Sequence, residues 1–135
     1  MKKKILEIIP ARKNSKRIKN KNLKKLGGFP LIYYSIKYAL KSKIIDKVIV
    51  STDSKSIKNY VNRFGELAPF LRPKKISGSK VSDTPVIMHV CDWLKKNINY
   101  EPEIIVILRP TTPFRNKSLI VKCINKLIKY SCSSV

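Results

Sequence analysis

A chain of 135 residues, 43% of them hydrophobic, is long enough for one domain and too apolar to remain disordered. Its 30 lysine and arginine residues outnumber 8 acidic residues, which gives a net charge of +22. Such a charge is typical of a protein with an anionic partner or of a lysine-rich background composition. Because lysines are spread along the whole chain, background composition is the better explanation outside residues 2–25, where basic residues are denser. No apolar run has the length of a signal peptide or a membrane span, so we expect a soluble, cytoplasmic protein with no membrane partner.

Short apolar runs, separated by helical patterns, predict the strands. In chain order these runs are residues 5–9, 48–50, 67–71 and 104–108. Residues 131–135 resemble the start of a further strand. The run at 104–108 is the most apolar, and we predict that it forms a central strand.

Four amphipathic patterns predict helices between or after these runs. They cover residues 30–40, 54–64, 87–94 and 116–128. Residues suited to begin three of them are Pro30, Ser54 or Ser56, and Asn116. Gly65 is suited to end the second, and Leu40 and Ile128 belong to the apolar faces that we expect to point inward. Strands buried on both faces and separated by such helices indicate an α/β sandwich with a mostly parallel sheet.

Three loops are predicted at the carboxyl ends of the strands, where open α/β sheets bind ligands. They are residues 10–22, 51–54 and 109–115. The first loop lacks the glycines of a phosphate-binding Walker loop and is rich in basic and amide side chains. Guanidinium, ammonium and amide donors suit a triphosphate, and a solvated basic surface explains the same composition equally well.

Five segments carry a resemblance to a known family. They are IIPARKNSKRIKNKN (8–22), LGGFPLI (26–32), VIVSTDS (48–54), RP (72–73) and LRPTTPFR (108–115). Together they resemble the motifs of the acylneuraminate cytidylyltransferases, which include CMP-sialic acid synthetases and relatives for legionaminic and pseudaminic acids. The resemblance covers nearly the whole chain, and its first segment is the most specific.

The resemblance implies a Rossmann-like three-layer sandwich of the nucleotide-diphospho-sugar transferase type, truncated at the C-terminus. It also implies an enzyme of cell-surface polysaccharide biosynthesis that uses CTP, Mg²⁺ and an acidic nine-carbon sugar. The anomeric hydroxyl of the sugar would attack the α-phosphate of CTP, so that a CMP-sugar forms and pyrophosphate leaves. Positioning and charge neutralisation would supply most of the catalysis.

The same resemblance assigns roles to individual residues. Arg12 and Lys21 would be catalytic and bind the triphosphate. The other residues of the implied nucleotide site are Pro10, Ala11, Ser15, Lys16, Asn22, Arg72 and Ser82. The residues that would face the sugar acid are Arg109, Thr111, Thr112 and Arg115.

The chain departs from the family pattern at several positions. Lys13 and Asn14 replace a usual pair of glycines, and Ser79 stands where many relatives have aspartate. Arg109 replaces a glutamine that helps to bind the sugar in sialic-acid enzymes, so Arg109 could pair with a carboxylate or another substituent. Because the family is longer, we expect residues 1–135 to be an incomplete nucleotide-binding domain. The Mg²⁺ carboxylates and the segment of the homodimer would lie beyond residue 135, in a longer chain or in a separate C-terminal piece, and a fragment that only binds CTP is the alternative.

Other conspicuous residues have ordinary structural explanations. His89 is expected to pack or form a hydrogen bond, because no acid or cysteine accompanies it at metal-ligand spacing. Asp53 is expected to cap the following helix, although the end of a strand is also a favoured place for function. The three cysteines are expected to be small buried hydrophobic residues that stay reduced in a cytoplasmic protein. A nucleic-acid partner is not expected, because no binding motif is present and the aromatic residues are not interleaved with the basic ones.

Overall fold

A computed structural model describes residues 2–135, so Met1, the first residue of the predicted domain, lies outside the described residues. Its main sheet has three parallel strands, β1 (Ile5–Pro10), β4 (Lys47–Ser51) and β5 (Ile104–Ile107). The strand order is β4-β1-β5, with Glu7 of β1 opposite Val48 and Val106. The prediction of a parallel α/β sheet is therefore confirmed.

The central strand is β1, and the prediction that residues 104–108 form the central strand is wrong. Within residues 2–135, β5 pairs with β1 alone and forms an edge of the sheet. The apolar run indicated correctly that β5 packs against helices. The run gives no information about how many strands flank β5, because sheet order is set by pairing between distant segments.

Four helices accompany the sheet, and their bounds are α1 (Leu31–Lys41), α2 (Lys55–Val61), α3 (Asp83–Ile98) and α4 (Leu119–Lys129). Of the two serines proposed to begin α2, Ser54 is the cap, since its hydroxyl accepts the Ile57 N–H at 3.2 Å. A 3₁₀ turn (Asn62–Phe64) extends α2 as far as Gly65, which adopts a φ of +128° that favours glycine.

The helices form the outer layers of a three-layer sandwich. One face of the sheet packs against buried residues of α1, α2 and α4, and the opposite face packs against Val90 and Leu94 of α3. Along β1 the side chains alternate, so Leu6 and Ile8 face α3 while Ile5 and Ile9 face the other helices. No helix within residues 2–135 has both the length and the apolar character needed to cross a membrane.

The basic segment after β1 ends in a small hairpin that the sequence analysis placed in a loop. Strands β2 (Lys25–Leu26) and β3 (Phe29–Pro30) pair in antiparallel fashion around Gly27 and Gly28. Gly27 has a φ of +58°, and a Cβ atom there would lie 3.0 Å from the Tyr34 hydroxyl oxygen. Glycine is therefore required at the turn by both its conformation and its lack of a side chain.

Residues 67–71 run beside β4 without forming the predicted strand. The Val50 N–H donates to the Leu67 carbonyl at 2.7 Å, and the Arg72 N–H donates to the Thr52 carbonyl at 2.7 Å. Pro69 lies between these two contacts and has no N–H to donate, so a continuous ladder does not form.

Three smaller expectations also differ from the structure. Residues 131–135 form no strand. Leu40 and Ile128, expected to face the core, remain 48% and 46% exposed. Asn116 lies before α4, which begins at Leu119, and its side-chain oxygen accepts the Ser118 N–H at 3.0 Å.

Candidate functional site

The three loops predicted to carry the site start side by side. The Ala11 N–H donates to the Ser51 carbonyl at 2.9 Å, and the Leu108 N–H donates to the Ile8 carbonyl at 2.9 Å. The carboxyl ends of β1, β4 and β5 thus lie at one edge of the sheet, as their parallel pairing requires. Residues of the three loops are therefore neighbours in space although they are far apart in the sequence.

The first loop folds back onto the second through Asp53. The Asp53 carboxylate accepts the Lys13 N–H at 2.6 Å. Asp53 was expected to cap α2, and the structure corrects this, because Ser54 caps the helix instead. The carboxylate fixes the backbone next to Arg12, whose side chain is half-buried.

The far end of the first loop is tied to its beginning. The buried Asn22 amide donates to the Arg12 carbonyl at 3.2 Å, so its position supports the loop directly. Asn20 has a φ of +52°, which asparagine tolerates better than most residues. Of the predicted triphosphate contacts in the segment, Ser15 and Lys21 are half-buried and Lys16 is exposed.

Arg72 is the buried cation at the centre of the site. Its Nε donates to the Ser51 hydroxyl at 3.0 Å and its Nη2 donates to the Ser51 carbonyl at 2.6 Å. Burial lowers the pKa of Arg72, while the nearby charges of Asp53 and Asp83 raise it and that of Arg12 lowers it. Arg72 therefore holds the end of β4 and brings positive charge between the loops.

The third loop extends the site towards the start of α3. Arg109, two residues after the end of β5, forms an ion pair with Asp83, the first residue of α3. Ser82 precedes Asp83 as the exposed N-cap of that helix. A cleft of about 510 Å³ is lined at this end by Asp83, Arg109, Thr112 and Arg115, and it continues along β5 and α4.

Arg115 lies deeper than the other predicted sugar contacts. Its Nη1 donates to the Ser35 hydroxyl at 3.2 Å, and its Nη2 donates to the Arg109 carbonyl. The guanidinium also lies 5.8 Å from the centre of the Tyr38 ring. Thr111 and Thr112 are exposed. Arg115 thus braces the loop that presents Arg109 and the two threonines.

Glu7 is a buried acid that sequence reasoning passed over. It lies in the middle of β1 with no exposed surface, and neither carboxylate oxygen has a hydrogen-bond partner among residues 2–135. Burial raises the pKa of Glu7 to about 8, and the positive charge of Arg115 opposes this shift. The available signal was a single acid within the apolar run at residues 5–9.

His89 has the packing role that was expected of it. The His89 ring meets the Phe70 ring edge to face, with 4.7 Å between the ring centres. The Phe70 ring in turn lies 5.4 Å from the Trp93 ring, measured between centres. Burial, and secondarily the charge of Arg72, lowers the pKa of His89. The side chain is therefore neutral over more of the acidic range than an ordinary histidine.

The distribution of possible metal ligands also characterises this site. Within residues 2–135 there is no group of three or more histidine, cysteine, aspartate and glutamate side chains that could hold a metal ion. A site that holds a metal ion through three or more of these side chains is therefore absent from the described residues.

The fold and the arrangement of the loops define a class of protein. A three-layer α/β domain that presents arginines at the carboxyl edge of a parallel sheet is a domain suited to bind phosphorylated ligands. The model of the cytidylyltransferase family matches residues 6–133.

Named relatives point to the same family. The chain is 38% identical over 122 residues to the pseudaminic acid cytidylyltransferase of Campylobacter jejuni, covering 90% of this chain and 52% of that protein. It is 38% identical over 119 residues to the CMP-N,N'-diacetyllegionaminic acid synthase of Legionella pneumophila, covering 86% of this chain and 50% of that protein. It is 38% identical over 136 residues to the N-acylneuraminate cytidylyltransferase of Escherichia coli, covering 98% of this chain and 31% of that protein.

A solved structure supports the fold. A CMP:2-keto-3-deoxy-manno-octonic acid synthetase complexed with CTP superposes with a TM-score of 0.76 at 23% identity, covering 93% of this chain and 48% of that one. The chain belongs to the cytidylyltransferase family. It spans about half the length, or less, of the relatives named here.

Proposed function

We propose that this chain is the nucleotide-binding part, residues 1–135, of a CTP-dependent cytidylyltransferase. Its acceptor would be an acidic nine-carbon sugar of the sialic, legionaminic or pseudaminic acid type. The anomeric hydroxyl of the sugar forms a bond to the α-phosphorus of CTP, the bond to the β-phosphate oxygen breaks, and pyrophosphate leaves. Because CTP is made in the cytoplasm, the reaction would take place there.

One observation carries this proposal. Three arginines from different segments, Arg12, Arg72 and Arg109, have two carboxylates near them, those of Asp53 and Asp83. Asp53 binds the backbone beside Arg12 and influences Arg72, while Asp83 influences Arg72 and pairs with Arg109. A triphosphate and a sugar acid each carry negative charge, and an array of guanidinium groups with some positions already occupied by carboxylates is suited to both.

The proposed roles divide the array between the two substrates. Arg12 and Lys21 would bind the triphosphate and neutralise the charge that develops on pyrophosphate as it leaves. The rest of the proposed nucleotide site is Pro10, Ala11, Ser15, Lys16, Asn22, Arg72 and Ser82. The proposed sugar site is Arg109, Thr111, Thr112 and Arg115, with Arg115 acting through its support of the loop.

The relatives suggest what else the reaction requires. Cytidylyl transfer is expected to use Mg²⁺, and the described residues lack a cluster that would hold it. We propose that polypeptide outside this 135-residue segment, in the same chain or in a separate piece, supplies the carboxylates and a homodimer contact. The second candidate is a segment that binds CTP without turnover, and the lack of a metal-holding cluster among residues 2–135 favours it.

The proposal is tested by measuring CTP binding and pyrophosphate release on the same sample. CTP should bind in preference to ATP, and Arg12→Gln should weaken CTP binding by at least about tenfold, the effect of losing one strong charge-assisted contact. Arg63→Gln is the matched control, because Arg63 is an exposed arginine in the 3₁₀ turn after α2.

Turnover is measured with CTP, Mg²⁺ and a panel of nine-carbon keto acid sugars. Release that depends on the sugar supports a catalyst, and CTP binding without release supports the second candidate. Equal affinity for CTP and ATP, or equal effects of the two arginine substitutions, would contradict the proposed nucleotide site. Salt-sensitive binding to duplex DNA that ignores CTP would replace it with a nucleic-acid function.

A further inference from the structure

An exposed ion pair joins the start of α3 to the loop after β5. Asp83 and Arg109 are 26 residues apart in the sequence, and their side chains are 43% and 55% exposed. The pair lies at the polar end of the cleft, beside Thr112. Its position is therefore the place where a carboxylate entering the proposed sugar site would meet a guanidinium group.

The backbone of Arg109 is held while its side chain is free to exchange partners. The Arg109 carbonyl accepts hydrogen bonds from the Arg115 guanidinium and, at 3.2 Å, from the Thr112 N–H. The preceding residue, Leu108, is tied to β1. A change of partner at the guanidinium group thus requires only side-chain rotation.

Asp83 has other sources of stabilisation when it leaves Arg109. It is the acidic residue in the first turn of α3, where the partial positive charge of the helix end favours a carboxylate. Its negative charge also raises the pKa of the nearby buried cation Arg72, against the larger effect of burial. The carboxylate of Asp83 is therefore not left uncompensated when another anion takes its place.

We propose that Asp83 occupies the position on Arg109 that the carboxylate of the sugar acid takes when it binds, and that Asp83 thereby sets the affinity for that acid. This inference rests on the proposed function and deepens it. A guanidinium fork offers one favoured bidentate geometry to a carboxylate, so the two acids compete for it. An ion pair this exposed contributes little, so the competition should change the affinity by no more than about fivefold.

The competition is tested by titrating N-acetylneuraminate and pseudaminate into the CTP-loaded protein. Asp83→Asn removes the competing charge and should tighten binding of the acids by about two- to fivefold. Arg109→Gln should weaken binding by about tenfold or more. Glu101→Gln is the matched control. Glu101 forms an exposed ion pair with Lys95, at a distance of 3.3 Å, and neither residue belongs to the proposed site. The Glu101→Gln variant should bind the acids like the unchanged protein.

The methyl ester of N-acetylneuraminate separates charge competition from a change in shape. The ester has no carboxylate, so Asp83→Asn should not improve its binding. The inference would be overturned if Asp83→Asn bound both acids no more tightly than the unchanged protein. It would also be overturned if the acid and the ester gained equally, or if Arg109→Gln had no effect. No acid binding by any variant while CTP still binds would also overturn it and leave the nucleotide site standing, whereas loss of CTP binding by the unchanged protein would refute the proposed function.

Discussion

Replacing Glu7 by glutamine should stabilise the protein at neutral pH, by an amount that grows as the pH rises. The carboxyl group loses its proton near pH 4.5 when unfolded, whereas burial raises its pKa in the folded protein to about 8. Between these values the folded state binds one more proton than the unfolded state. The free energy of unfolding therefore falls as pH rises, by about 1.4 kcal/mol per pH unit for this group.

The size of the effect follows from the environment of β1. Glu7 lies between valines on both neighbouring strands and has no hydrogen-bond partner among residues 2–135. At pH 7 the charge-related cost amounts to roughly 3 kcal/mol, and above pH 8 it levels off because both states are then ionised. Glutamine has nearly the same shape and carries no charge, so Glu7→Gln should remove this dependence.

Urea unfolding of both proteins from pH 5 to pH 9 measures the difference. Subtracting one stability curve from the other cancels other titrating groups, His89 among them. We expect an advantage for Glu7→Gln of under about 1 kcal/mol at pH 5 and of roughly 3 kcal/mol at pH 7. A difference that stays flat from pH 5 to pH 8 would refute the reasoning, because it would mean that Glu7 is solvated or paired.

Two further expectations concern single side chains. Ser54→Ala should lower the free energy of unfolding by about 1 kcal/mol because it removes the cap of α2, whereas Ser56→Ala, at an exposed position in that helix, should have almost no effect in the same urea measurement. Cys91 should react with a thiol reagent more slowly than Cys132 at pH 8, because burial raises the pKa of Cys91 while Cys132 is exposed. Equal loss of stability in the two serine variants, or equal labelling rates of the two thiols, would contradict these accounts.

Sequence reasoning reached the α/β fold and its loop edge because those features leave local signals. A short apolar run, a helical stripe and a cap such as Ser54 each occupy a few neighbouring residues. Since parallel strands place their carboxyl ends together, the position of the three loops followed from the element order alone. The same reasoning failed at residues 67–71, where an apolar run contains Pro69 and cannot continue a ladder.

The missed features depend on pairing between distant residues. The pair of Asp83 and Arg109, and the contact of Asp53 with the Lys13 N–H, join segments 26 and 40 residues apart. The residues next to Asp83 or Asp53 in the sequence do not indicate which distant residue each carboxylate will contact. Glu7 was missed for a related reason, since an acid in an apolar run does not indicate whether its carboxylate will contact water, a cation or neither.

The central position of β1 has a consequence for synthesis. Residues of β1 leave the ribosome before those of its two neighbours, and β5 is opposite β1 only from Ile104 onwards. At bacterial and eukaryotic elongation rates the strand waits about 5–20 s for that partner. During the interval an apolar segment has one free edge, so a nascent chain of this protein should depend on chaperones until β5 emerges.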